Sequence, residues 1–490
     1  MTGTAKTSEQ TSAARDGFQV AKETRLWSLL AAQRDAFLRA GAPSLEDRRS
    51  DLMKLKRAIL ARRRDFETAI NADFGHRSTY ETAVMEIVPT VQGIDYLRKN
   101  LRRWMRPRSR RVALHFRPGT ARVLRQPLGV VGVISPWNYP ASLCLMPLAT
   151  AIAAGNRAML KPSEFSPKTT ELIGALLREC FPEDQVAVVT GGSDVGEAFA
   201  ALPFDHLVFT GSTGVGRAVM RAASANLVPV TLELGGKSPV IVDRYYSPVR
   251  AARSIAYGKL SNAGQTCIAP DYALVHESQL DAFVVAFEAA TRASYPAGAA
   301  DEAYSAIIGQ RHHDRLAALI EDARRKGAKV VQVGAASAAA KGPVGLRKLP
   351  PTLIVGATPE MAVMQDENFG PILPVIPYRE IDDAIACVNA KPRPLALYVF
   401  SDDRDVVAQV LERTTSGNAT VNDTLLHYAQ DDLPFGGVGP SGMGAYHGEE
   451  GFLSLSHAKG VFVQSRWSSA GLLRAPFGRA AEFILRFFLR

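Results

Sequence analysis

The chain predicts an α/β fold with mostly parallel sheets, and three observations carry that reading. From about residue 130 onward, short apolar runs alternate with amphipathic helical stretches, the pattern of βαβ units. The alternation comes in two rounds that divide near Gly235 and Gly236. At roughly 150 residues per domain, 490 residues suit two or three domains. Ahead of both rounds, a β-rich stretch with a Pro-Gly turn, residues 108–127, predicts a hairpin that projects as an arm.

The first 25 residues are polar and small. With no apolar segment, and with Glu9, Asp16 and Glu23, they read as a loose tail rather than a targeting peptide. Ser44 followed by Asp47 predicts a capping box for a helix carrying Leu52, Leu55, Ile59 and Leu60. Alternation at 112–116 and 122–125 supplies the two hairpin strands. RAMLK at 157–161 then reads as a strand, and Ser166-Pro167 opens the helix ending at Cys180. QVAVVTG and HLVFTG are strands, and GVGRAVMRAAS is a helix. The second round runs from VPVTLELGGKSPVIV through YALVHES and ALYVFS to DVVAQVLERTTSG. Apart from an Ala-rich loop at 335–340, there is neither repeat nor low-complexity tract.

A net charge of +10 suits anionic ligands such as nucleotides. Nucleic acid is disfavoured, because the basic residues are scattered and the one dense block, residues 98–111, holds a single aromatic. Four cysteines at irregular spacing, without CxxC, predict neither metal nor disulfides and suit a reducing cytoplasm. No run of 18 apolar residues predicts a spanning helix. His312, His313 and Asp314 read as a solvated helix face, since no third ligand accompanies them.

Cys267 stands apart from the other cysteines. It lies in NAGQTCIAP, among small and polar residues and ahead of a proline, a stretch suited to present a thiol. Four further patches sit at predicted strand ends, where open α/β sheets place ligands. PWNYP (136–140) holds Asn138 between prolines, in a rigid loop that can aim an amide or serve as an Asx turn. LKPSE (160–164) offers Lys161 and Glu164 to a nucleotide or to each other. FTGSTGVG (209–216) runs from a strand through a glycine turn into a helix, the arrangement that receives phosphate. In LELGGKSP, Glu233 is a strand-end carboxylate that can act as a general base or join an ion pair. The literal GxGxxG at Gly437, Gly439 and Gly442 has no strand before it and no helix after it, and is discounted. Together the patches describe a reaction. A thiol of lowered pKa attacks a carbonyl, and Asn138 and a backbone N–H hold the oxyanion. A nucleotide at Lys161 and Gly211 takes hydride, and Glu233 activates water.

From about residue 45 to 465 the chain resembles the aldehyde dehydrogenase superfamily. The resemblance rests on PWNYP, LKPSE, FTGSTGVG, LELGGKSP, GQTC, ENFGP and PFGG, in that order. It implies Cys267 as nucleophile, Asn138 and the Cys267 N–H as oxyanion hole, and Glu233 as deacylating base. Cofactor contacts would come from Lys161, Glu164, Pro136, Trp137, Gly211, Ser212, Gly216 and Gly235, with Glu367 on the nicotinamide ribose and Phe369 beside the nicotinamide. NAD is the expected cofactor, because Glu164 suits a 2′-hydroxyl, with NADP as the alternative. The implied domains are cofactor-binding at 26–107 and 128–235, catalytic at 236–435, and an oligomerisation arm at 108–127 and 452–466.

The segment 422–452 is similar to the class-three and coniferyl aldehyde dehydrogenase branch, which implies a homodimer joined through the arm and an aromatic or medium-chain aldehyde as substrate. Tyr139, Leu143, His427 and Phe435 are the expected tunnel residues, His427 in a structural role. Two other readings stay open, a coenzyme A-acylating enzyme and a silent structural relative; Glu233 argues for hydrolysis and the intact set argues against silence. The basic, aromatic segment 470–490 predicts an amphipathic helix that docks on its own subunit or at a membrane surface.

Overall fold

A computed structural model describes residues 24–334, 347–467, 471–472 and 474–489. The loose tail, but for its last two residues, and the Ala-rich loop at 335–340 lie outside them. The described chain opens with a helix at 24–40, followed by Leu45–Ala61 and Arg63–Phe74. Ser44 and Asp47 form the capping box. Leu52, Leu55 and Ile59 are fully buried, and Leu60 faces solvent. A π-helical turn, Ala83–Ile87, leads into the long helix Val88–Met105.

The strands β1 (Arg108–Arg110) and β2 (Thr120–Pro127) pair antiparallel, Arg108 opposite Val123. The first hairpin strand therefore lies a few residues before the expected 112–116. Residues Leu114–Phe116 instead form a 3-10 turn, because they must close the loop around Pro118.

The first α/β sheet contains β3 (Val130–Ile134), β4 (Arg157–Lys161), β5 (Val186–Val188), β6 (His206–Gly211) and β7 (Val230–Leu234). The second contains β8 (Pro239–Val242), β9 (Tyr272–His276), β10 (Lys329–Gln332), β11 (Thr352–Val355), β12 (Ile372–Tyr378), β13 (Ala396–Phe400) and β14 (Asn418–Val421). The chain then returns, as β15 (Gly442–Met443) to the first sheet and as β16 (Ser456–Val463) to the arm. The stretch VPVTLELGGKSPVIV is thus two strands in two sheets, broken at the Gly-Gly.

The first sheet is ordered β15-β7-β6-β3-β4-β5 and is parallel except at β15. Its strand order reverses beside β3, so the carboxyl ends of β3, β4, β6 and β7 open onto one crevice. The second sheet is ordered β10-β11-β12-β9-β8-β13-β14 and is parallel except at β10. The three-stranded arm is ordered β1-β2-β16, with β16 paired to β2 over eight residues.

Burial on both faces makes these strands near-continuous apolar runs, as parallel sheets require. The helix Ser142–Ala154 is buried along its whole length. Lacking a polar face, it shows no helical periodicity to a sequence reading. At the other extreme, Arg479–Phe488 buries Ala481 and exposes Phe483, Phe487 and Phe488. Among the described residues no helix is long and apolar enough to cross a membrane.

Candidate active site

Cys267 sits in the loop joining the helix Pro248–Leu260 to β9. Three successive residues there, Asn262, Ala263 and Gly264, have φ of 52°, 50° and 73°. Left-handed backbone costs on the order of 1 kcal/mol or more at each non-glycine position, and the surroundings hold it. The Gln265 amide donates to the carbonyls of Asn262 (2.9 Å) and Ala306 (3.1 Å), and its oxygen accepts the Ile308 N–H at 3.0 Å. Gly264 must be glycine on space as well, since a Cβ would stand 2.3 Å from the Gly370 carbonyl oxygen. The bend brings Cys267 to the wall of a cavity of ≈ 250 Å³.

The thiol is not lowered in pKa, contrary to the expectation. Burial pushes it up to about 12, and the nearby carboxylates of Glu367 and Glu233 add to the rise. The backbone N–H groups of Cys267 and Ile268 act against them.

Asn138 is buried in the loop after β3, and its Nδ2 donates to the Gln265 carbonyl at 3.1 Å. Its own carbonyl accepts from Asn262 Nδ2 (2.9 Å) and Arg77 Nη1 (3.1 Å). Arg77 and Glu86 form an ion pair at 2.8 Å, both fully buried. The second Glu86 oxygen accepts the N–H groups of Ala141 and Ser142 at 2.8 and 3.0 Å, and the Arg77 guanidinium lies 4.8 Å from the Tyr139 ring centre. This pair, Arg77 from the loop after Arg63–Phe74 and Glu86 from the π turn, holds the PWNYP loop from a segment its motif does not include.

Glu233, on β7, lines the same cavity as Cys267. It is buried, and neither carboxylate oxygen has a hydrogen-bond partner among the described residues. Burial raises its pKa well above the ordinary carboxylate range. A carboxylate kept without partners beside a thiol is not a structural ion pair, and that alternative is removed.

The remaining candidates ring the crevice. Lys161 is buried at the end of β4, and its Nζ donates to Glu164 at 2.7 Å. Ser212 caps the helix Thr213–Ser224, accepting from the Val215 N–H at 3.4 Å. Gly216 packs that helix on β7, where a Cβ would stand 2.5 Å from Leu234. The helix after β4 starts at Pro167 as expected, but Ser166 supplies no side-chain cap; Asp73 takes the N–H groups of Lys168 and Thr169 at 2.9 Å each.

Pro136 and Trp137 follow β3. Trp137 meets Phe369 edge-on at 5.5 Å and His312 at 5.0 Å. His312 is accordingly half-buried against an indole rather than on a solvated face. Among the described residues no cluster of His, Cys, Asp or Glu has metal-binding geometry. Phe369 takes φ 50°, and Arg315 donates to the Asn368 carbonyl at 2.6 Å to hold that turn. Asp271 accepts the Asn368 N–H at 2.8 Å and pairs with the buried Lys237. Glu367 lies so close to Gly235 that a Cβ there would fall 2.0 Å from its carboxylate. Burial, with Asp271 nearby, pushes Glu367 up to about 8.

Tyr139, Leu143 and Phe435 line the cavity, together with Met85, Tyr428 and Tyr446. His427 does not. It stacks behind Phe435 at 5.9 Å and bonds Thr420 at 2.8 Å, because burial makes a neutral, hydrogen-bonded imidazole the favourable form there. The outer wall includes Val84 and Met85 from the π turn, and the Tyr257 hydroxyl contacts the Met85 sulfur at 3.8 Å. Tyr428, Tyr446 and Arg77 were absent from the sequence reading; for Tyr428 the one signal was its place beside His427.

The family model described as "Aldehyde dehydrogenase family" matches residues 6–461. The chain is 49% identical to a protein named "Probable coniferyl aldehyde dehydrogenase" from Pseudomonas aeruginosa, over 95% of this chain and 97% of that one. It is 47% identical to a coniferyl aldehyde dehydrogenase of a Pseudomonas species, over 94% and 95%. Among solved structures, the substrate-bound state of Staphylococcus aureus AldH superposes with TM-score 0.88 at 37% identity, covering 94% of this chain and 99% of that one.

Proposed function

Because the chain belongs to the aldehyde dehydrogenase family and so carries out NAD(P)-dependent oxidation of an aldehyde to a carboxylic acid, we propose that Cys267, Glu233 and Asn138 perform it. Cys267 Sγ attacks the aldehyde carbon, and as the C–S bond forms its proton passes to solvent water. The developing alkoxide is held by Asn138 Nδ2 and the Cys267 N–H, which supply hydrogen bonds where charge appears. A nicotinamide held beside Phe369 and Trp137 would supply a hydride acceptor for that carbon, and Cys267 would then carry the acyl group as a thioester. Glu233 then removes a proton from water, which adds to the thioester and releases the acid and the thiol.

The observation that carries this reading is the partnerless Glu233 carboxylate in the Cys267 cavity. It supports water as the acyl acceptor and leaves the coenzyme A reading without a residue of its own. Cys267→Ala should abolish NADH formation while NAD still binds by equilibrium titration; retained turnover would remove the nucleophile assignment.

The first domain, 26–107 and 128–235, is proposed to hold the cofactor. The crevice suits it: a buried lysine, a helix N-terminus after β6 and an aromatic pair converge there. Lys161 and Glu164 would take the adenosine ribose, and Glu164 favours a 2′-hydroxyl and so NAD over NADP. Gly211, Ser212 and Gly216 would receive the pyrophosphate. Glu367 would turn from Gly235 to the nicotinamide ribose, with Phe369, Pro136 and Trp137 beside the ring. The second domain, 236–435, would supply the nucleophile.

For the substrate we propose an aromatic propenal of the coniferyl type. The relatives' names support it, as does a cavity walled mainly by apolar side chains. Exposed edges on β1 and β16 support a homodimer through the arm. Phe483, Phe487 and Phe488, exposed beside Arg486, support contact of the C-terminal helix with an anionic membrane surface. Four free cysteines support a cytoplasmic setting.

A further inference from the structure

A small recess of ≈ 20 Å³ opens beside the main cavity and shares Pro89, Gln92 and Tyr428 with it. Its remaining wall includes Met146, Asp431 and His447. Whereas the cavity is chiefly apolar, this recess holds polar atoms whose hydrogen-bonding capacity is unspent.

Three hydroxyls form a chain along the shared wall. Tyr446 donates to Tyr428 at 3.3 Å, and Tyr428 and Ser142 lie 3.3 Å apart with either as donor. Three O–H groups joined by two hydrogen bonds leave one proton without an acceptor in the chain. Since Tyr446 donates inward, that spare proton is on Tyr428 or Ser142, both of which face the cavity.

The acceptor is His447. Its Nε2 is buried and has no partner among the described residues. The other ring nitrogen donates to the Leu433 carbonyl, and burial holds the ring neutral, its pKa lowered to about 4. A neutral ring that donates at Nδ1 carries a lone pair at Nε2. The ring is fixed by stacking on Phe435 at 5.6 Å and 14°. With Ser142 donating to Tyr428, the surplus Tyr428 O–H and the surplus His447 acceptor flank a space that accommodates one oxygen atom, since about 10–15 Å³ is what a water needs.

We propose that Tyr428 and His447 form a subsite for a phenolic hydroxyl on the substrate's ring, an inference that rests on the aldehyde oxidation proposed above. The hydroxyl donates its proton to His447 Nε2 and accepts from the Tyr428 O–H, whose own oxygen accepts from Ser142. Asp431 lines the same recess and adds a second acceptor. Tyr428 and His447 are therefore specificity-determining residues, acting on the far end of the substrate from Cys267.

The test compares 4-hydroxycinnamaldehyde with 4-methylcinnamaldehyde, which match in shape and differ in hydrogen bonding, in the wild type, Tyr428→Phe and His447→Phe. The ratio of kcat/KM between the two aldehydes should fall about three- to tenfold in each variant, because each loses one hydrogen bond. Taking the ratio cancels the ring's electronic effect and any general loss of activity. Inhibition constants of the matching cinnamyl alcohols, which bind without forming a thioester, read the same subsite if a variant turns over too slowly. A ratio within twofold of wild type in both variants, or equal inhibition of the wild type by the two alcohols, overturns the subsite. A wild type that oxidises neither aldehyde but prefers the phenolic alcohol would instead keep the subsite and count against the proposed reaction.

Discussion

Asn138 and Gln265 are joined by a 3.1 Å hydrogen bond, side-chain amide to backbone carbonyl, that ties the loop after β3 to the loop carrying Cys267. The bond crosses from one α/β unit to the other and aims the amide two residues from the thiol. Asn138→Ala should lower kcat by about 10²- to 10³-fold, the effect of removing one oxyanion donor, with a smaller change in KM. Steady-state rates with a good aromatic aldehyde measure it; an unchanged kcat would remove Asn138 from the oxyanion site.

Glu233→Gln should slow turnover by about 10²- to 10⁴-fold while preserving a first burst of NADH, since the thioester still forms and no longer hydrolyses. Rapid mixing with stoichiometric enzyme distinguishes a lost burst from a slowed release. The same variant has a stability signature. Glu233 in the folded chain keeps its proton to a pH well above the 4.5 of a free carboxyl, so the stability tied to it is fully present below pH 4.5 and is lost as pH rises. Glu233→Gln should therefore melt increasingly above wild type as pH is raised from 5 to 9.

Arg77→Met leaves Glu86 as a buried charge without its partner, a change that costs about 3–5 kcal/mol. Urea unfolding should show that loss. The remaining folded enzyme should also lose kcat, because Arg77 donates to the Asn138 carbonyl. Simultaneous Glu86→Gln should recover part of the stability and little of the rate.

The Cys267 thiol, pushed up to about 12, should react slowly with iodoacetamide at neutral pH in the absence of NAD. Glu367, with its pKa at about 8, is charged at pH 9 and opposes thiolate formation. Glu367→Gln should alkylate severalfold faster than wild type at pH 9 and little differently at pH 6. Equal rates at both would separate Glu367 from the thiol.

What was legible in the sequence was local. Glycines at 211, 235 and 264, and strand ends at Lys161 and Glu233, announce themselves because backbone geometry and burial restrict which residues fit within a few positions. The Arg77–Glu86 pair is invisible in that way, since neither residue belongs to a motif and the Asn138 carbonyl that Arg77 serves is 61 residues away. The same holds for His312, whose partner Trp137 comes from the other unit. The misplaced first hairpin strand shows the converse, a true local alternation at 112–116 overridden by the turn that the pairing of β1 with β2 demands. The thiol's raised pKa also escaped, because the carboxylates that raise it approach only in three dimensions.

β15 pairs with β7 so that Gly442 lies opposite Glu233. On a ribosome, a chain that has already made Glu233, Asn138 and Cys267 must wait for nearly two hundred further residues before that edge of the sheet can close. The nascent protein therefore spends about a third of its synthesis with Cys267 already made and the strand beside Glu233 still missing, so that the cavity wall is completed only when translation is almost over.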